Sequence, residues 1–316
     1  MEAFKKRSLS EYIYLAFTGA AMGAADIVPG VSGGTMAFIL GIYEELIHTI
    51  KSFNIAWLRL LLRFRIREAF EHVNGRFLLV LGGGLGLAVL ALARLLSGLL
   101  ENHPVPLYAF FFGLVAASII AVSAHVHWRP AMVATLLAGT AVAYGVVGLV
   151  PLDMPNDPVT LFFSGALAIS AMILPGISGS FILLILGQYA YVLSAVKDFD
   201  LLALAPAVAG MVVGIVVFSR VLSWLLKHCH QVTVTLLIGF MLGSLRRIWP
   251  FKEVLEWMED RHGVLVPVRE ANVLPAFDSG VFWLSLGLCV AGFLLISVLD
   301  HAQSRSNPFI RWCVRP

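Results

Sequence analysis

The chain has 316 residues, 59% of them hydrophobic and 13% charged, with a formal net charge of +3. A mean hydropathy of +0.89 excludes an ordinary soluble domain, and the small basic excess, confined to loops, gives no nucleic-acid signature. The apolar runs are continuous rather than alternating, so the chain reads as an all-α polytopic membrane protein and not a β-barrel.

The first stretch, KKRSLSEYIYLAFTGAAMGAA (5–25), has the look of a signal peptide, but its second part recurs at residues 163–171, so it reads as retained structure. It runs into DIVPGVSGGTMAFILGIY (26–43). A helical hairpin is expected over 12–50, with arms 12–28 and 34–50 on either side of the Pro-Gly loop. Each arm would reach only about 25 Å, short of the roughly 30 Å hydrocarbon layer, so the hairpin is either a pair of short spans or re-entrant, and the re-entrant form is the one expected.

Residues 57–76, WLRLLLRFRIREAFEHVNGR, read as a basic amphipathic helix, with Arg59, Arg63 and Arg67 on one stripe facing anionic lipid. Full spans are expected near 77–100, 105–124 and 131–150. A second hairpin over 158–196 then contains MILPGISGSFILLILGQY (172–189). Spans near 201–226, 230–247 and 281–300 follow, with a long loop at 246–280 and a cytoplasmic tail. Gly82/Gly86 and Gly210/Gly214 offer matching small-residue faces for helix packing.

The second hairpin repeats the first. Phe17, Gly19, Pro29, Gly30, Ser32, Gly33, Gly41 and Tyr43 align with Phe163, Gly165, Pro175, Gly176, Ser178, Gly179, Gly187 and Tyr189. Beyond the connecting loop, Gly84, Arg94, Ser97, Gly113 and Ser118 align with Gly210, Arg220, Ser223, Gly239 and Ser244. Two units follow, 1–156 and 157–316, each a broken hairpin plus three spans. Each hairpin returns the chain to its side of entry and three spans then cross, so the second unit is expected to be inverted. Segments on the side of the N-terminus hold Lys5, Lys6, Arg7, Lys51, Arg59, Arg63, Arg65, Arg67, Arg76, Arg129, Lys227, Arg305, Arg311 and Arg315. The outer segments hold Lys197 and, in or beside the long outer loop 246–280 where acidic residues balance them, Arg246, Arg247, Lys252, Arg261 and Arg269; the short outer loops 101–106 and 151–157 carry none. Both termini are therefore expected in the cytoplasm.

Non-helical backbone inside a bilayer must be satisfied by protein or line a polar cavity. Pro29, Gly30, Pro175 and Gly176 shape the two loops. Ser32, Gly33, Gly34 and Thr35, with Ser178, Gly179 and Ser180, then supply amide and hydroxyl donors suited to an anionic headgroup. Arg94 and Arg220 occupy matching places near opposite faces and are candidates for handling phosphate. Asp26, whose counterpart is Met172, either caps the loop or couples transport to a proton or cation, and Glu44 at the inner end of the hairpin is a second candidate for coupling or gating. Cys229, Cys289 and Cys313 have no metal-type spacing, and no cofactor or metal is expected.

With its paired motifs GAADIVPGVSGGTMAFILGIYEELI and ILPGISGSFILLILGQY, the chain resembles the bacterial undecaprenyl-phosphate translocase family over nearly its whole length. That resemblance implies a lipid transporter and not an enzyme. It would return undecaprenyl phosphate from the outer to the inner leaflet of the cytoplasmic membrane for peptidoglycan synthesis. The family motif falls on Asp26, Pro29, Gly30, Ser32, Gly33, Gly34, Thr35 and Glu44, then on Pro175, Gly176, Ser178, Gly179 and Ser180. The second copy continues Gln188-Tyr189-Ala190 where the first has Glu44, so a symmetric role for that acid does not follow.

The residues alone support an inverted-repeat carrier of an anion-headed substrate. Two alternatives stand beside the lipid reading. Undecaprenyl pyrophosphate phosphatases also carry paired Pro-Gly-x-Ser loops, but theirs continue with arginine where this chain has Gly33 and Gly179. An ion-coupled small-anion transporter is the other. Partners beyond membrane lipid, including a homodimer, are left open by the sequence.

Overall fold

The computed structural model describes residues 7–28, 31–149, 152, 154–259, 265–304 and 309–310. Pro29 and Gly30, and the far C-terminal tail, lie outside them. The chain is nearly all helical. Helix α1 (Leu9–Ile27) opens with a capping box, in which Ser8 and Glu11 satisfy each other's backbone amides.

The second arm of the hairpin was expected as one helix and is two, α2 (Gly33–Ile39) and α3 (Tyr43–Lys51). The cause is a Schellman stop. Gly41 turns left-handed at φ 71°, its N–H bonds Phe38 O, and the next N–H, from Ile42, bonds Ala37 O at 3.0 Å. The expected amphipathic helix is likewise split, into α4 (Ile55–Leu62) and α5 (Ile66–His72). Phe64 sits at φ 55° between them, so Arg59, Arg63 and Arg67 do not share one continuous helical stripe.

Three long helices follow, α6 (Gly75–Asn102), α7 (Pro104–Ser123) and α8 (Pro130–Val147). The latter two start on prolines, whose missing N–H is harmless in a first turn. The second hairpin repeats the pattern as α9 (Pro158–Ile173), α10 (Gly179–Ile185) and α11 (Tyr189–Lys197). Gly187 at φ 70° makes the matching Schellman stop, and the described parts of α10 and α11 meet at a 118° bend. Helices α12 (Leu201–His228), α13 (His230–Ile248) and α14 (Gly280–Ser304) complete the bundle.

Six helices among the described residues, α6, α7, α8, α12, α13 and α14, are long and apolar enough to cross a membrane. The 246–280 segment, expected as a loop, contains an antiparallel hairpin of β1 (Lys252–Glu259) and β2 (Leu265–Asn272), with Val254 opposite Glu270.

Helix packing follows the duplicated sequence. A Cβ on Gly84 would overlap the carbonyl of Ala16 in α1, and one on Gly210 would overlap the carbonyl of Phe162 in α9. These close approaches seat α6 on α1 and α12 on α9. Gly82 and Gly86 have open space around them, so the glycine by which α6 packs on α1 is Gly84, not the expected pair. Gly214 does pack as expected, against Ala166. The remaining long helices exchange partners, with α7 against α14 and α8 against α13.

Of these six spans α13 is the most enclosed, with Leu237, Ile238 and Met241 nearly inaccessible. Together with Leu15, Ala25, Val28, Met36, Leu40 and Phe77 they form the core around the first hairpin. Leu79, Leu87 and Leu90 of α6 and Val212, Val213 and Val217 of α12 are exposed, as lipid-facing surfaces require.

Candidate functional site

The first loop begins where α1 ends. Ser32 takes the N-cap position of α2, and its Oγ accepts from the Gly34 amide at 3.1 Å. The Gly33 amide donates to Asp26 Oδ1 at 2.7 Å. Asp26 thus lies against the positive end of α2, a favourable place for a carboxylate. The absence of a side chain at Gly33 allows this approach, because a Cβ would come within 2.6 Å of Asp26 Oδ2 and push the carboxyl group aside. Of the amides expected to receive an anion at this loop, that of Gly33 is already taken by the chain's own Asp26 carboxyl group and that of Gly34 by Ser32 Oγ.

The second loop lacks that acid, since Met172 stands in its place. Ser178 is the N-cap of α10 but makes no side-chain cap bond, and its Oγ lies 2.8 Å from Ser180 Oγ instead. Ser178 is half-buried and Ser180 exposed. Gly176 adopts φ +92°, and a Cβ there would press on Ser244 Oγ at 2.8 Å and Phe240 O at 2.9 Å, so this loop is folded tightly onto α13.

Two bonds join the two hairpins. The Gly176 amide donates to Thr35 Oγ1 at 2.8 Å, and Ser32 Oγ donates to Met172 O at 3.4 Å. Ser32 and Thr35 are both 1% exposed, so these hydroxyls serve the protein rather than solvent. The segments Ser32–Thr35 and Met172–Gly176, far apart in sequence, therefore form one centre. It is closed and acid-filled on the side of the first loop and less enclosed on the side of the second.

Residues 22–266 match the family described as undecaprenyl phosphate translocase-like. The chain belongs to that family. It is 45% identical over 265 residues to a Vibrio cholerae protein named polyprenyl-phosphate transporter, covering 84% of this chain and 86% of the relative. It is 32% identical over 253 residues to a Staphylococcus aureus protein of the same name, covering 73% of this chain and 84% of the relative. No solved structure matches.

The remaining expected residues of this family member lie apart from the centre. Arg94 is exposed on α6, beside Leu95, Gly98 and Asn102 in a shallow groove. Arg220 is exposed on α12. Glu44 leaves the hairpin altogether: its Oε1 meets His230 Nε2 at 2.7 Å, tying α3 to the start of α13. Its neighbour Glu45 binds Arg7 and accepts from Asn74 Nδ2 at 3.0 Å, which fastens the start of the chain and the start of α6 to the hairpin. Among the described residues no group of three or more His, Cys, Asp or Glu side chains is placed to hold a metal ion.

The sequence did not point to a second polar cluster. Arg247 Nη1 and Lys252 Nζ both donate to Glu270 Oε2, at 3.0 and 3.2 Å. The Arg247 guanidinium lies over Phe181 at 5.2 Å, and the Lys252 ammonium lies 5.1 Å from the Tyr108 ring centre. Phe181 directly follows Ser178-Gly179-Ser180. Only folding of the β1–β2 hairpin brings Glu270 back to Arg247, so no local spacing announces the cluster.

Proposed function

We propose that this protein is a polyprenyl-phosphate transporter that moves undecaprenyl phosphate from the outer to the inner leaflet of the bacterial cytoplasmic membrane, returning the carrier for peptidoglycan synthesis. One observation carries the reading: the two Pro-Gly loops meet through the Thr35–Gly176 bond, in a family whose relatives bear that transporter name. We take residues 1–156 and 157–316 as inverted units with re-entrant hairpins and with both termini in the cytoplasm. The duplicated motifs and the matching glycine contacts support this.

A bare phosphate in hydrocarbon costs on the order of tens of kcal/mol, so fixed donors are needed at mid-depth while the prenyl tail stays in lipid. Ser178, Gly179 and Ser180 are assigned to the headgroup, because their side of the centre has no carboxylate of its own. Ser32, Gly33, Gly34 and Thr35 shape that site and hold the loops together. An apolar crevice of about 190 Å³ lined by Leu174, Phe218, Leu225, Leu236 and Phe240 reaches the residue just before Pro175, a path suited to the tail. Arg94 and Arg220 attract the headgroup at the two faces.

Inward movement of the anion opposes a potential negative inside by roughly 2.3 kcal/mol per charge per 100 mV. Asp26 is assigned to proton or cation coupling, since a change in its charge changes its hold on the Gly33 amide, and Glu44 to gating through His230.

The test is leaflet exchange of a fluorescent polyprenyl phosphate in proteoliposomes, expected to be fast with the protein and slow without it. Ser178→Ala removes a donor to a charged head, worth roughly 1.5–3 kcal/mol, so exchange should fall about tenfold to a hundredfold with unfolding unchanged. Ser32→Ala should chiefly lower stability. No acceleration of exchange by the wild-type protein would end this reading.

A further inference from the structure

The transport reading leaves the cluster at the end of α13 without a task. Its composition is unbalanced. Arg247, Lys252 and Glu270 carry two positive charges and one negative, and their side chains are only 28%, 12% and 22% exposed. Glu270 is the one carboxylate, among the described residues, that either cation meets in an ion pair. Both cations converge on the same oxygen, Oε2.

Burying ions without full neutralisation is costly, and burial, aided by Arg247, accordingly pushes the Lys252 ammonium below its ordinary 10.5, with Glu270 opposing. Stapling β2 to the bundle needs one cation, not two. Moreover the staple already exists elsewhere: Asn272 Nδ2 donates to Arg246 O at 2.9 Å and Trp249 Nε1 donates to Val273 O at 3.0 Å. Arg246 itself turns away, its Nη1 donating to Tyr144 O at 3.1 Å.

We propose that Arg247 and Lys252 form a receiving site for a phosphate monoester, with Glu270 as a resident counter-ion that the incoming phosphate displaces. The proposal rests on the transport reading, in which this face is the outer one. A phosphate monoester carries about −1.5 to −2 charges and three acceptor oxygens. It matches two cations in charge where a single carboxylate does not, and the arginine fork and the compact ammonium are both phosphate-binding groups.

The location favours transfer to the centre. Phe181, under the guanidinium, is the residue after Ser180, so a headgroup leaving Arg247 is directed along α10 to the second loop. Tyr108 and Phe181 supply apolar walls for the first isoprene units. The rim of this face, formed by Leu274, Phe277 and Trp283, is exposed and would lie against lipid.

The experiment compares Arg247→Gln, Lys252→Gln and Glu270→Gln in the purified full-length protein. Binding of geranyl phosphate, inorganic phosphate and geraniol is measured by calorimetry, and leaflet exchange of polyprenyl phosphate in liposomes. A receiving site predicts opposite signs. Arg247→Gln and Lys252→Gln weaken geranyl phosphate binding at least tenfold and slow uptake from the outer leaflet, whereas Glu270→Gln tightens binding severalfold.

A structural staple predicts the same sign for all three, because each breaks the same ion-pair cluster. Equal loss of binding in Arg247→Gln and Glu270→Gln, or binding of geraniol as tight as that of its phosphate, overturns the proposal. Charge-dependent binding of inorganic phosphate and geranyl phosphate alike, with no polyprenyl exchange by the wild-type protein, upholds the anion site while refuting lipid transport.

Discussion

The bond between Asp26 and the Gly33 amide allows a stringent test, because two different substitutions must destroy it. Asp26→Ala deletes the carboxylate and leaves the amide at the start of α2 unpaired. A hydrogen bond to a charged group contributes roughly 1.5–3 kcal/mol, and that is the expected loss. Gly33→Ala leaves the carboxylate in place but puts a Cβ within 2.6 Å of Oδ2 and 2.9 Å of Oδ1. Such distances are untenable, so the carboxylate swings away and the same 2.7 Å bond is lost.

Each single variant should therefore be destabilised by about 1.5–3 kcal/mol, and the double variant by no more than the larger of the two. The cycle is measured by unfolding in mixed micelles, followed by loss of helicity, with Asp26→Asn as the variant that keeps an acceptor and loses only charge. Additivity of the two single effects to within about 0.5 kcal/mol would refute the view that Asp26 is the anion of the first loop, and with it the asymmetry between the two loops.

Adding a methyl group at Gly84 or Gly210 should be severely disruptive, since it drives backbone against backbone. At Gly86, where nothing lies within 4 Å, Ala should be neutral or should stabilise by about 0.5–1 kcal/mol through helix propensity; the apparent melting temperatures of the three variants decide this. Lys252 should give the protein a pH-dependent stability. Its charged form is disfavoured in the fold, so wild-type stability should rise between neutral pH and the ordinary lysine value of 10.5, and Lys252→Gln should flatten that rise.

Composition and period were enough to define much of this protein. A continuous run of apolar residues long enough to cross a bilayer has few alternatives to a helix, because the backbone must satisfy itself there. All six expected spans accordingly appear as helices, within a few residues of their expected ends. The repeat and the two Pro-Gly loops were equally plain, since proline and glycine act on their own backbone. Even the break at Gly41 and Gly187 left a trace, a glycine at matching places in two apolar runs, but hydrophobicity continued through it and masked the stop.

What the sequence withheld depends on which distant atoms meet. Gly33 and Gly34 read as open donors, whereas the fold has Asp26 at the end of α1 and the N-cap Ser32 already filling them. The faces of α6 looked alike until packing selected Gly84 over Gly82 and Gly86. Arg247, Lys252 and Glu270 belong to no motif, because the β-hairpin, and not their spacing, brings them together. Local chemistry sets secondary structure and the kinds of donor available. Which donors are spent and which are left for a ligand is decided by the crossing of helices, a property of the whole chain.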